Sequence, residues 1–215
     1  MAETKVKEAK EPLFGKKERK LLVDPLLDNN PITVQVLGVC SALAVTSLLM
    51  PSIVMTVAVV FVCGFSNLIT SLLRNIIPNE VRLIAQLIII ATLVTIVELS
   101  LKYFDYPTYK ELSVYIGLII TNCIVMGRLE AFAMGNKPWK SFLDGLGNGV
   151  GYGIILIVVA FFRELFGKGT LFGAQILPEG YFANNLMVMP AAAMFILAVF
   201  IWIQRSRNKE LVDIS

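Results

Sequence analysis

The chain has 215 residues, 56% of them hydrophobic and 16% charged, with a net charge of +3 and no histidine. Soluble domains run nearer about 45–50% apolar and about 25% charged, so this balance excludes a secreted disulfide scaffold or a nucleic-acid-binding domain. The missing imidazoles exclude His-ligated haem, Rieske centres, zinc–histidine sites and His-based acid–base catalysis within the chain.

The first 23 residues carry seven Lys and Arg interleaved with Glu3, Glu8, Glu11 and Glu18, without an apolar core or a cleavage-type ending. This pattern predicts a solvated, charged cytoplasmic tail rather than a signal peptide. Residues 24–204 form the predicted membrane domain. Its apolar blocks are of roughly twenty residues, the length a helix needs to cross about 30 Å of hydrocarbon. Six are expected, at about 32–49, 53–73, 81–101, 112–134, 143–166 and 186–203, with a short cytoplasmic C-terminal tail over 205–215. Pro and charge clusters fall in the gaps, as satisfied backbone hydrogen bonding in a bilayer demands. The predicted fold is therefore an all-α polytopic membrane protein with six transmembrane helices.

Lys and Arg counts orient it. Six spans place the N-terminal tail, Arg74 and Arg82, then Arg128, Lys137 and Lys140, and finally Arg205, Arg207 and Lys209 on one side. Only Lys102, Lys110, Arg163 and Lys168 fall on the other. Both termini are predicted cytoplasmic. The positive-inside rule accounts for the basic face of Arg74, Arg82, Lys137 and Lys140, and docking of a partner protein is the alternative.

Three plus three spans make any homologous halves inverted. The first apolar segment of each half, 32–49 and 112–126 before its polar-flanked extension to Met134, is its shortest and carries one cysteine, Cys40 or Cys123. Short spans at matching places point to half-helices around a midplane site. Cys40 lies nine residues beyond Pro31, about 13 Å along a helix, and Cys123 sits about as deep from the opposite face. An in-plane pseudo-two-fold brings the two thiols together. Two readings stand here: small apolar packing residues, or soft ligands for a metal or an iron–sulfur cluster. A cluster takes four thiolates, so a second copy or a paralogous partner must supply two. Cys63, mid-span and without a counterpart, reads as core.

Gly145, Gly149 and Gly153 recur every four residues, the small-residue pattern of close helix contact rather than a phosphate loop. Glu98, Arg163 and Glu164 lie near span ends, where a functional role and snorkelling compete. Asn122, next to Cys123, is either a second-layer donor to a cluster sulfur or interhelical glue. No carboxylate cluster resembles a sodium cage.

Several motifs carry a family resemblance: Asp28 to Pro31, Leu37 to Thr46, Leu118 to Arg128, Glu130 to Met134, Asp144 to Gly149 and Phe162 to Gly167. Together, over Asp24 to Ile203, they resemble the D-type membrane subunits of the sodium-translocating NADH:quinone oxidoreductases. The E-type subunits of Rnf ferredoxin-linked complexes share the Thr121 to Val125 stretch. Ser41-Ala42 after Cys40, where that family is usually richer in Pro, favours the quinone-reductase branch.

The resemblance implies a subunit of a sodium-pumping NADH:quinone reductase in the bacterial inner membrane, built as two inverted three-helix repeats. It implies a homologous partner of opposite topology, the E type, and a shared 2Fe-2S cluster with Cys40 and Cys123 as this chain's two iron ligands. FAD, FMN and riboflavin are expected only in other subunits, which oxidise NADH and carry electrons to ubiquinone while sodium is exported. The rivals are an Rnf-type redox subunit and a cofactor-free inverted-repeat secondary transporter.

Overall fold

The computed structural model describes residues 16–27, 29–104, 106–167, 170–171, 174–175 and 189–207. Helix α1 covers Lys16–Leu27, α2 Val39–Val45, α3 Leu49–Leu73 and, after a 3₁₀ turn at Asn79–Val81, α4 Arg82–Phe104. Helices α5 (Tyr106–Ile120) and α6 (Cys123–Arg128) follow; a π-helical turn at Leu129–Ala133 then leads to α7 (Pro138–Gly167). A two-stranded antiparallel hairpin pairs Thr170 with Gln175 and Leu171 with Ala174, and α8 is Pro190–Arg207. The described residues outside turns and connections are thus helical apart from this hairpin.

Prolines open elements where a missing amide costs nothing. Pro138 and Pro190 are the first residues of α7 and α8, and Pro51 lies in the first turn of α3. Four stretches are long and apolar enough to cross a membrane: Leu49–Leu73, Arg82–Tyr103, Leu112–Ala133 and Pro138–Gly167. They match the expected second to fifth spans, and Pro190–Ser206 is a shorter apolar helix in place of the sixth. The start of that expected span, 186–188, lies outside the described residues.

Within the first span, 32–49, where a half-helix is expected, the chain makes turns up to Gly38 and then the seven-residue α2. Tertiary bonds and backbone angles hold this shape. The buried Asn30 donates to the Gly151 carbonyl (3.0 Å) and accepts from the Ile32 amide (3.0 Å). Val36 and Gly38 take φ values of 55° and 79°, which end any right-handed helix.

Within the expected charged tail, α1 begins at Lys16 and packs on α7. Residues 1–15 and 208–215 lie outside the described residues.

Helix α7 is the central element, with 30 residues spanning about 45 Å. One glycine face meets α3: a Cβ on Gly145 would stand 2.7 Å from the Cys63 carbonyl oxygen, and one on Gly149 2.9 Å from Val60 Cα. Gly153 meets Thr56 on the same line. A second face, through Gly147, meets α1, where a Cβ would lie 2.8 Å from the Leu21 carbonyl oxygen. Backbone-to-backbone approach of this kind is open only to glycine, and it supplies the dispersion contact that holds helices together in lipid. Val59, Val62, Cys63, Ile124, Leu129, Tyr152, Leu156 and Val159 are buried around the α3–α7 seam.

Candidate functional site

The structure brings Cys40 and Cys123 together. Cys40 is the second residue of α2 and Cys123 the first of α6. Their Sγ atoms lie 3.8 Å apart, with Cys40 exposed and Cys123 partly buried. Both elements are interrupted just before the cysteine, at Gly38 in the first case and at Thr121–Asn122 in the second.

Each break has a local cause. Asn122 is the N-cap of α6, its side-chain oxygen accepting from the Ile124 amide, the usual way an orphan helix donor is satisfied. Gly38 is the N-cap of α2 in the left-handed region, and its amide donates to Cys123 Sγ at 3.2 Å. A side chain there would be strained, and its Cβ would stand 2.8 Å from the Tyr152 ring.

Beneath the thiols a polar knot ties α2, α6 and α7. Ser41 Oγ donates to the Gly38 carbonyl (3.0 Å), accepts from Asn122 Nδ2 (3.2 Å) and pairs with the Tyr152 hydroxyl at 2.7 Å. Ser41, Asn122 and Tyr152 are all buried. Asn122 therefore bonds Ser41 and its own helix, and the donor to the sulfur is the Gly38 main chain. No side-chain pattern betrays a main-chain donor; the sequence hints only at a glycine two residues before Cys40. Ser41 and Tyr152 carry no sequence signal of their own.

Cys63 is fully buried on α3. Among the described residues no group of three or more His, Cys, Asp or Glu side chains could hold a metal. Two thiols at 3.8 Å are too far apart for a disulfide, whose sulfurs lie about 2.05 Å apart. They match one edge of a tetrahedral thiolate site, since metal–sulfur bonds of about 2.3 Å set two sulfurs about 3.8 Å apart. Tetrahedral thiolate sets suit zinc and iron–sulfur clusters. The donor set thus fits half of such a centre.

The charged groups are tied into the helix framework. Arg128 pairs with Asp144 on α7, its Nε donating to Oδ2 at 2.9 Å, and Asn148 donates to the same carboxylate at 3.1 Å. Arg82 pairs with Glu130 on the π-helical turn, to which Gln86 also donates (3.2 Å). Arg74 donates to the Asn136 carbonyl at 2.8 Å. Arg74 and Arg82 of the basic face thus serve intrachain bonds.

Snorkelling does not describe Arg163 and Glu164, which are 2% and 3% exposed. Arg163 donates to Thr46 Oγ1 (2.6 Å) and the Leu43 carbonyl (3.3 Å) at the end of α2, and to the Met189 carbonyl before α8 (3.2 Å). Glu164 accepts from the Leu49 amide at the start of α3 (2.7 Å). Glu98 accepts from the Tyr109 hydroxyl at 3.0 Å.

A family profile described as "Rnf-Nqr subunit, membrane protein" matches residues 19–201. A protein of Photobacterium profundum, named as the D-type subunit of a Na(+)-translocating NADH-quinone reductase, is 58% identical over 192 residues, or 87% of this chain and 91% of the relative. Relatives of the same name from Psychromonas ingrahamii and Pseudoalteromonas translucida are 54% identical over 200 residues (91% and 95% of the two chains) and 51% over 218 residues (99% of each).

Proposed function

The chain belongs to the Rnf-Nqr family of membrane-protein subunits, and from that membership we propose that it works as the D-type subunit of a Na(+)-translocating NADH-quinone reductase. Its part is to hold half of an intramembrane 2Fe-2S site, with Cys40 and Cys123 as ligands. The observation that carries this is the 3.8 Å thiol pair, which has the span of two thiolates on one tetrahedral metal. Four thiolates complete such a cluster. Two therefore come from a homologous E-type partner of inverted topology facing the exposed Cys40. When bound, the cluster supplies one-electron transfer.

The chain's own residues hold and shield the site. The Gly38 amide donates to Cys123 Sγ, and an amide donor stabilises negative charge on a ligand sulfur. The Ser41–Asn122–Tyr152 knot closes the side facing this chain's interior. NADH oxidation and flavin chemistry with FAD, FMN and riboflavin belong to other subunits. The membrane domain crosses the bacterial inner membrane six times as two inverted halves, with α2 and the α5–α6 pair as the interrupted first element of each. Both termini face the cytoplasm.

The test is iron analysis and electron paramagnetic resonance on the intact complex carrying Cys40→Ser or Cys123→Ser. One iron–sulfur signal and its share of iron should disappear, and NADH:quinone activity should fall with them. Retention of every iron–sulfur signal together with full activity would refute the assignment.

A further inference from the structure

We propose that Tyr152 is a positioning residue for the thiol pair, acting through Ser41 to keep the Gly38 amide on Cys123 Sγ. This rests on the two cysteines being cluster ligands. Helices of seven and six residues are too short to hold themselves, so the cysteines they carry need an outside anchor. Tyr152 provides it from the middle of α7. Its hydroxyl meets Ser41 Oγ at 2.7 Å, and its ring fills the space where a Gly38 side chain would stand.

Ser41 is the node of the arrangement. It follows Cys40 in sequence and receives Asn122, which precedes Cys123, so one hydroxyl ties the two half-helices at the residues beside their thiols. The same hydroxyl holds the Gly38 carbonyl, fixing the residue whose amide reaches Cys123. Gly38 is thus held at its carbonyl by Ser41, with the Tyr152 ring standing where a side chain would go. Removing the Tyr152 hydroxyl takes away the partner that ties Ser41 to α7, and the Gly38 linkage, at φ 79°, then relaxes away from the sulfur.

Hydrogen bonds to cluster sulfurs are among the determinants of reduction potential. An amide donor favours the more negative reduced state, so losing it moves the potential negative. The experiment places Tyr152→Phe and Ser41→Ala separately in the intact complex and follows the cluster by potentiometric titration with electron paramagnetic resonance. Ser66→Ala is the control. It removes a buried hydroxyl that bonds the Cys63 carbonyl within α3.

Both site variants should assemble with the other cofactors in place. Each should show either loss of iron from this one centre or a potential lowered by up to a tenfold change in the reduced-to-oxidised ratio, about 59 mV for one electron. Ser66→Ala should keep the parent potential. Unchanged potential and line shape in both site variants would overturn the positioning role. So would failure of both to assemble, which would make the knot a folding element. If Cys40→Ser and Cys123→Ser themselves leave the cluster intact, it is the ligand assignment that fails instead.

Discussion

Gly38→Ala should damage the chain more than any other Gly→Ala change at a helix end. The residue sits at φ 79°, where an L side chain costs about 1–2 kcal/mol. The new Cβ would also lie 2.8 Å from Tyr152 Cε2 and 3.2 Å from Cδ2, against an optimum of about 3.5–4.0 Å between carbons. Tyr152 is 0% exposed and its hydroxyl is tied to Ser41, so the ring cannot withdraw without breaking that bond. Overpacking of this kind costs about 1–3 kcal/mol. Helix propensity does not offset the loss, because Gly38 is an N-cap, where glycine outranks alanine. The sum is about 2–5 kcal/mol, or roughly 30-fold to several-thousand-fold in the folding equilibrium. Denaturant titration of the detergent-purified protein, followed by Trp139 and Trp202 fluorescence, reads it directly. A midpoint stability within about 0.5 kcal/mol of the parent, the range of an inconsequential surface change, would refute both the strain and the packing claims.

Four further outcomes rest on the same kinds of contact. Gly149→Ala should destabilise by about 1–2 kcal/mol, since only part of the overpacking cost is returned by helix propensity; its Cβ meets the Val60 backbone at 2.9 Å. Gly117→Ala on α5, with nothing within 4 Å, should instead stabilise by about 0.5–1 kcal/mol; equal effects at the two positions in the same denaturation assay would contradict the packing described for α7. Glu164→Ala should cost about 1–2 kcal/mol by leaving the Leu49 amide without its 2.7 Å acceptor, with a lowered unfolding midpoint as the measure. Cys63→Ala should leave the iron content of the complex untouched while costing about 1 kcal/mol of packing; loss of iron in that variant would place a third thiol at the centre.

The long helices were legible because α3, α4 and α7 each hold a long, mostly apolar stretch bounded by Pro or charge. The stretch before Cys40 was not. By composition Ile32 to Leu49 reads as one more span, yet its shape is set by Asn30 reaching Gly151, 121 positions away, and by positive φ at Val36 and Gly38. Neither a long-range bond nor a backbone angle at a valine is written in hydropathy. Helix α1 was hidden for a similar reason. Its charges suggest a free tail, while what docks it is backbone contact with a second glycine face of α7, and the sequence shows that face without showing its occupant. The closeness of Cys40 and Cys123 was legible from matching positions in two short spans. The Gly38 donor and the Tyr152 anchor were not, because one is main chain and the other is a tyrosine among apolar neighbours.

Arg163 and Tyr152 grip α2 from points eleven residues apart on α7, about 16 Å along its axis, while Asp144 on the same helix grips α6 through Arg128. In mechanical terms α7 is a common chassis on which both thiol carriers are mounted. Their separation is then a dimension of one stiff rod rather than of two hinged parts. A bilayer of different thickness that tilts α7 carries both sulfurs along together, and the gauge between them stays constant.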